Sequence, residues 1–132
     1  MTVIDTSIFV EVERRRAQAE ERLRDLLAGG LDDLAVSTVT ILELTRSPRL
    51  ALPWREFYRR LFEAVLILPA DRRAAEMGAA IARERERAGH RMQNTDALIA
   101  GCAAAAGADL LVTADEDFVG IRHFAVEVVR PS

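Results

Sequence analysis

The sequence predicts an α/β protein: a small, mostly parallel sheet of four or five strands with helices on both faces. Short β-like runs alternate with longer helical patterns from one end of the chain to the other. No internal repeat, low-complexity tract or Pro/Gly-rich linker interrupts the 132 residues. Half of the residues are apolar, enough for one sizeable core, so residues 1–132 read as a single domain.

Val3-Ile4 reads as a short buried strand ending at Asp5, and Ile8 to Leu27 as helix, broken once, stopping at Gly29-Gly30. Leu34-Ala35-Val36 is the second strand. Ser37 or Thr38 caps a helix through Val39, Ile41, Leu42 and Leu44, which ends near Ser47-Pro48 because proline disfavours helix in the residue before it. Trp54 to Ala64 is helical, and Val65-Leu66-Ile67-Leu68-Pro69 forms a third strand. Asp71 is placed to cap a long helix that runs to Ala88, with Gly89 beyond its end. Asn94 or Thr95 caps a helix from Asp96 to Ala106, closed by Gly107. Leu110 to Thr113 is the fourth strand, Glu116 to Ile121 a short turn or helix, and Ala125 to Val129 the last strand. Right-handed crossovers between parallel strands set the hand of the sheet.

Composition removes several classes of function. All 18 basic residues are arginine, so no P-loop lysine, Schiff base or lysine general base exists. The formal net charge of -3 argues against coating nucleic acid by global positive charge, leaving only local contacts. The single Cys102 forms no internal disulfide, and its alanine-rich surroundings suit a buried, inert thiol in a reducing cytoplasm. The start of the chain lacks the basic region of a signal peptide, and the longest apolar run, Ala97 to Ala108, falls short of the roughly 18 residues of a membrane span. A soluble protein is expected. GxGxxG, HExxH, paired CxxC and GxSxG strings are all missing.

In open parallel sheets, ligands bind beyond the carboxyl ends of the strands. Asp5 ends the first strand and Asp115 follows the fourth; if those strands are neighbours, their carboxylates face one ion. Glu43 lies in a helix whose other residues, Val39, Leu42 and Leu44, read as core-facing, so its charge is expected to need a partner. Asp96 falls in the first turn of its helix and points toward the strand ends. Taken singly, Asp5 and Asp96 read as helix caps, Asp115 as a turn residue and Glu43 as a surface glutamate. Taken together, four crowded carboxylates raise one another's pKa unless a cation binds. An oxygen-only donor set favours Mg²⁺ or Mn²⁺ over zinc, and such ions activate water against a phosphodiester.

Asp117 is either a further metal acid or the cap of the turn at Phe118, with the cap preferred. Thr6 and Thr113, beside the strand ends, are placed to hydrogen-bond a carboxylate or to cap the backbone locally. His90 and His123 lack metal-binding spacing and read as surface residues. Arginines at 14 to 16, at 46 and 49, and at 83, 85, 87 and 91 are candidates to flank a phosphate-binding groove, although interleaved acids suit most of them to solvated helix faces. Arg46 and Arg49 stand out because they follow the Glu43 helix.

Four strings, Val3-Ile4-Asp5-Thr6-Ser7, Ser37 to Leu44 with Glu43, Asn94 to Ala100 with Asp96, and Leu111 to Phe118 with Asp115, resemble in order the motifs of the PIN-domain family, specifically VapC-type toxins of bacterial toxin-antitoxin pairs. The resemblance spans nearly the whole chain. It implies a PIN-like three-layer α/β/α sandwich and a metal-dependent endoribonuclease that cuts RNA with Asp5, Glu43, Asp96 and Asp115 around Mg²⁺ or Mn²⁺. It also implies a cognate VapB-type antitoxin whose C-terminal segment covers the groove, and a homodimer. Because the family accepts asparagine or aspartate at the fourth place, Asp115 is expected to matter less than Asp5 or Asp96. One rival reading is a catalytically silent PIN-like module that only binds antitoxin or RNA. A second is an aspartyl phosphotransferase of the haloacid-dehalogenase kind, opposed by serine at position 7 and by the lack of lysine.

Overall fold

Val3 and Ile4 point to opposite sides of the same strand, and that alternation organises the protein. In a computed structural model, which describes residues 1–130, five parallel strands form one sheet in the order β3-β2-β1-β4-β5. They are β1 (Thr2–Ile4), β2 (Leu34–Ser37), β3 (Leu66–Leu68), β4 (Leu110–Thr113) and β5 (Ala125–Val128). Val3, Ala35, Leu68 and Leu111 project into one core, where they meet α5 (Arg72–Arg87) and α6 (Asn94–Ala105). Ile4, Leu34, Val36 and Val112 project into the other, against α1 (Thr6–Glu13), α2 (Ala17–Ala28) and α4 (Leu52–Ala64). The result is the three-layer α/β/α sandwich. Helix α3 (Thr38–Thr45) bridges the two cores, sending Val39 into the first and Leu44 into the second.

The expected break between Ile8 and Leu27 falls at Arg14 to Arg16. Arg15 takes a left-handed φ of 62°, its N–H donates to Val12 O at 2.9 Å, and Arg16 N–H donates to Glu11 O at 3.0 Å. This is a Schellman stop with arginine in the place usually held by glycine. Helices α5 and α6 end in the same motif at Gly89 and Gly107, as their positions in the sequence indicate, with φ of 89° and 70°. Ser37 caps α3, its hydroxyl accepting from Thr40 N–H at 3.1 Å. Pro53 lies in the first turn of α4, where its missing N–H has no helical partner to lose.

The start of α6 and the facing of α3 differ from expectation. Helix α6 begins at Asn94, with Gln93 at the cap position and no side-chain cap, so neither Asn94 nor Thr95 plays that part. Within α3, Leu42 is 63% exposed and Glu43 is also exposed, so neither faces the core. The short helix crosses the top of the sheet and buries Val39, Thr40 and Leu44 instead.

Helices α5 and α6 approach at paired glycines. A Cβ on Gly101 would stand 2.0 Å from Ala74 O, and one on Gly78 would stand 2.5 Å from Ala97 O. Close contact there draws α6 tightly over the sheet and sets the height at which its first turn, carrying Asp96, meets the strand ends. Cys102 is buried and unpaired, its thiol pushed up to about 11 by burial, in keeping with an inert core residue.

Candidate functional site

Strand β1 pairs with β2 on one side and β4 on the other, so the chain reverses its direction of travel across the sheet beside β1. A crevice opens at such a point, outside the carboxyl ends of the strands. Asp5 N–H continues the β1–β4 ladder by donating to Val112 O at 2.9 Å, which sets Asp5 level with Thr113 and near Asp115. The neighbouring strands required for a shared acidic site are therefore present.

Asp5 is only 3% exposed. One of its carboxylate oxygens accepts from Ser7 Oγ at 2.5 Å, Thr113 Oγ1 at 2.8 Å and Ser7 N–H at 3.3 Å. Burial raises its pKa, those hydrogen bonds oppose the rise, and the charge of Asp115 adds to it. Ser7 Oγ also accepts from Ala114 N–H at 2.8 Å, and Thr113 Oγ1 from Asp115 N–H at 3.0 Å. Both hydroxyls thus spend their protons on Asp5 and tie it to the loop after β4.

A second chain of hydroxyls supports Glu43. Ser37 Oγ donates to Thr40 Oγ1 at 3.3 Å, Thr40 and Thr6 share a bond of 2.9 Å, and Thr6 Oγ1 donates to Glu43 Oε1 at 2.7 Å. Glu43 is thus not the buried acid that the sequence pattern suggested. It is an exposed carboxylate oriented from below by a buried polar relay.

Asp96, in the first turn of α6, is where the acids meet. Its pKa is pushed up to about 7, by burial first and then by the charges of Asp5, Asp115, Asp117 and Glu43. Carboxylate oxygens of Asp96, Asp115 and Asp117 lie within 4.8 Å of one another. A cleft of about 210 Å³ is lined by Asp5, Thr6, Glu43, Asp96 and Asp115, with Ser7 and Glu11 beside them. Asp117 was expected to cap the turn at Phe118, but Asp115 does so, accepting from Asp117 N–H at 2.9 Å. That bond leaves the Asp117 carboxylate free to join the acidic group.

Ser7, Thr40 and Glu11 carry parts that the sequence did not single out. Ser7 was legible, since an aspartate capping a helix accepts from the residue two positions on. Glu11 follows Ser7 at a helical spacing of four, on the same face of α1. Thr40 had no such signal, because only the fold shows that it meets Thr6. Arg46 and Arg49 are exposed and do not line the cleft. His90 and His123 are exposed and stay outside it.

The donor set fits a hard divalent cation. It is made of carboxylates and hydroxyls without histidine or thiol, and the upward shift of Asp96, from burial first and then from the neighbouring acids, is one that a bound dication would oppose. A family model described as the PIN domain matches residues 2–123. The chain belongs to the PIN-domain family. Solved structures agree in fold: VapBC2 from Rickettsia felis, bound to a promoter DNA fragment, aligns with a TM-score of 0.74 at 22% identity, covering 97% of this chain and 98% of that one. FitAcB from Neisseria gonorrhoeae aligns with a TM-score of 0.71 at 25% identity over 96% of each chain. VapBC-5 from Mycobacterium tuberculosis, of the VapBC family of toxin-antitoxin systems, gives 0.62 at 26% identity over 98% and 97%. No curated protein is similar enough to this PIN-domain chain to serve as a relative. Among the described residues, no helix is long and apolar enough to cross a membrane.

Proposed function

We propose that this PIN-domain protein is a VapC-type toxin, an endoribonuclease that hydrolyses RNA phosphodiesters and is restrained by a VapB-type antitoxin. The observation that carries the reading is the convergence on Asp96 of Asp5, Glu43, Asp115 and Asp117. Under it, Asp5, Glu43, Asp96 and Asp115 hold Mg²⁺ or Mn²⁺, and Asp117 is a further donor. A bound ion would supply the polarisation of the phosphodiester and the acidification of an attacking water. The protein's own part is to fix the acids. Ser7 and Thr113 hold Asp5 in one orientation, and Thr6 holds Glu43. Asp5, Glu43, Asp96, Asp115 and Asp117 have no arginine partner among the described residues, which suits them to a cation rather than to the phosphate directly, whereas Glu11 at the edge of the cleft pairs with Arg14 and Arg16.

The antitoxin, a homodimeric assembly and action in the cytoplasm extend the same reading. The solved relatives named as VapBC complexes support the antitoxin. The test is cleavage of a mixed RNA pool by the purified protein with Mg²⁺, with EDTA, and with Asp5→Asn or Asp96→Asn. Metal-dependent cutting lost in both variants is expected. Identical RNA profiles with metal and with EDTA would leave a silent binding module as the better account.

A further inference from the structure

Asp117 links the acidic group to a second hollow. Its carboxylate belongs to the group with Asp96 and Asp115, and the same residue lines a cavity of about 650 Å³ together with Arg85, His90, Glu116, Gly120 and Arg130. Arg85 also lines a second hollow of about 330 Å³ with Arg87 and Arg122. Within these walls Arg130 is already committed, donating to Glu116 at 2.8 Å. Arg85, Arg87 and Arg122 take part in none of the ion pairs among the described residues.

Arg85 differs from a solvated helix-surface arginine in two ways. Its Nε is buried and has no hydrogen-bond partner among the described residues. Its guanidinium lies against Gly120, where a Cβ would stand 2.2 Å from one terminal nitrogen and 3.0 Å from Cζ. Gly120 has a φ of 99°, a conformation that also favours glycine. The guanidinium plane is thus held in a slot, with part of its donor capacity unused. The buried Nε has lost water without finding a partner, and the terminal nitrogens, which are not buried and have no acceptor among the described residues, are the donors that an outside acceptor would reach.

We infer that the cavity beside Asp117 is a subsite for a phosphate of single-stranded RNA flanking the one at the acidic cluster, with the slotted Arg85 guanidinium as its ligand. The inference rests on the nuclease reading for the position of the cut phosphate. Acids needing a cation, followed across Asp117 by an unpaired arginine, match a chain of phosphates in which one is engaged through the metal and the next directly. Arginine suits that task because its planar fork offers paired donors to phosphate oxygens.

The test measures binding of a fluorescent single-stranded RNA by anisotropy, over a range of salt, in an Asp96→Asn background that stops cutting. Adding Arg85→Ala is expected to weaken binding about tenfold and to flatten the slope of log affinity against log salt by about 0.7, the loss of one phosphate contact. Arg85→Lys, which keeps charge and stem but not the fork, is expected to keep the slope and lose part of the affinity. Arg59→Ala, whose guanidinium is held by Glu56 and Glu63 on α4, should change neither. Thermal melts of every variant separate misfolding from lost contact. RNA binding by the parent that is unaffected in affinity and slope by Arg85→Ala and Arg85→Lys overturns the subsite while sparing the nuclease reading. Arg85-dependent binding by a wild-type protein that never cuts RNA sinks the nuclease reading and keeps the subsite. A parent that binds no RNA overturns both.

Discussion

Asp96→Asn is expected to stabilise the metal-free protein at alkaline pH while abolishing its metal response. In the folded chain the Asp96 carboxyl rises from 3.8 to about 7, through burial and then the charges of Asp5, Asp115, Asp117 and Glu43. Between those two values the folded protein keeps a proton that the unfolded chain has released, so stability falls as pH rises through the window and is lowest above it. At about 1.36 kcal/mol per pKa unit, a rise of roughly three units sets a ceiling of about 4 kcal/mol. Water at the open side of the cleft and salt screening reduce the working value to about 1–2 kcal/mol, or about 3–8 °C in melting temperature for a domain of this size. Asp5, raised by its burial, acts in the same direction. The assay is thermal and urea unfolding of wild type and variant in EDTA near pH 5 and near pH 8, repeated with Mg²⁺. The variant should exceed the wild type by a small margin at the lower pH, where the window is already partly crossed, by more at the higher, and gain nothing from Mg²⁺ there. A variant less stable than wild type near pH 8 in EDTA, or one that Mg²⁺ stabilises as much as wild type, would refute the reasoning.

Three further outcomes follow from particular contacts. Asp115→Ala is expected to cost about 1 kcal/mol in urea unfolding because it removes the cap of the turn at Asp117, whereas Asp117→Ala leaves stability unchanged or raises it; both should raise the Mg²⁺ concentration for half-maximal cleavage about tenfold. Gly101→Ala drives a methyl to within 2.0 Å of Ala74 O and should lower stability by about 3 kcal/mol, seen as a reduced urea midpoint, by prying α6 from α5. Arg15→Gly relieves a left-handed residue with φ of 62° at the end of α1 and should raise stability by up to about 1 kcal/mol, read as a higher urea midpoint; no gain would mean that the ion pair from Arg15 to Glu20 outweighs the strain.

Much of this protein is written locally. The continuous apolar runs at Val3-Ile4, Leu34 to Val36 and Leu110 to Val112, the cap at Ser37 and the glycines at 89 and 107 each depend on residues a few positions apart, so the elements and most of their ends could be read from the chain alone, the start of α6 excepted. The same holds for Asp5 and Asp96, whose places at a strand end and a helix start follow from those elements. What required the tertiary structure was every relation across the sheet. The pairing of β1 with β4 brings Thr113 onto Asp5, although the two lie 108 positions apart. The crossing of α3 over the strand ends exposes Glu43 and sets Thr6 beneath it, where periodicity had suggested a buried charge. Asp115, by capping its turn, turned Asp117 into the cluster, and the slot at Gly120 held Arg85. Hydrophobic period and capping are short-range effects that a sequence records directly. The meeting of side chains is decided by strand order and helix height, which emerge only when the two cores close on the sheet together.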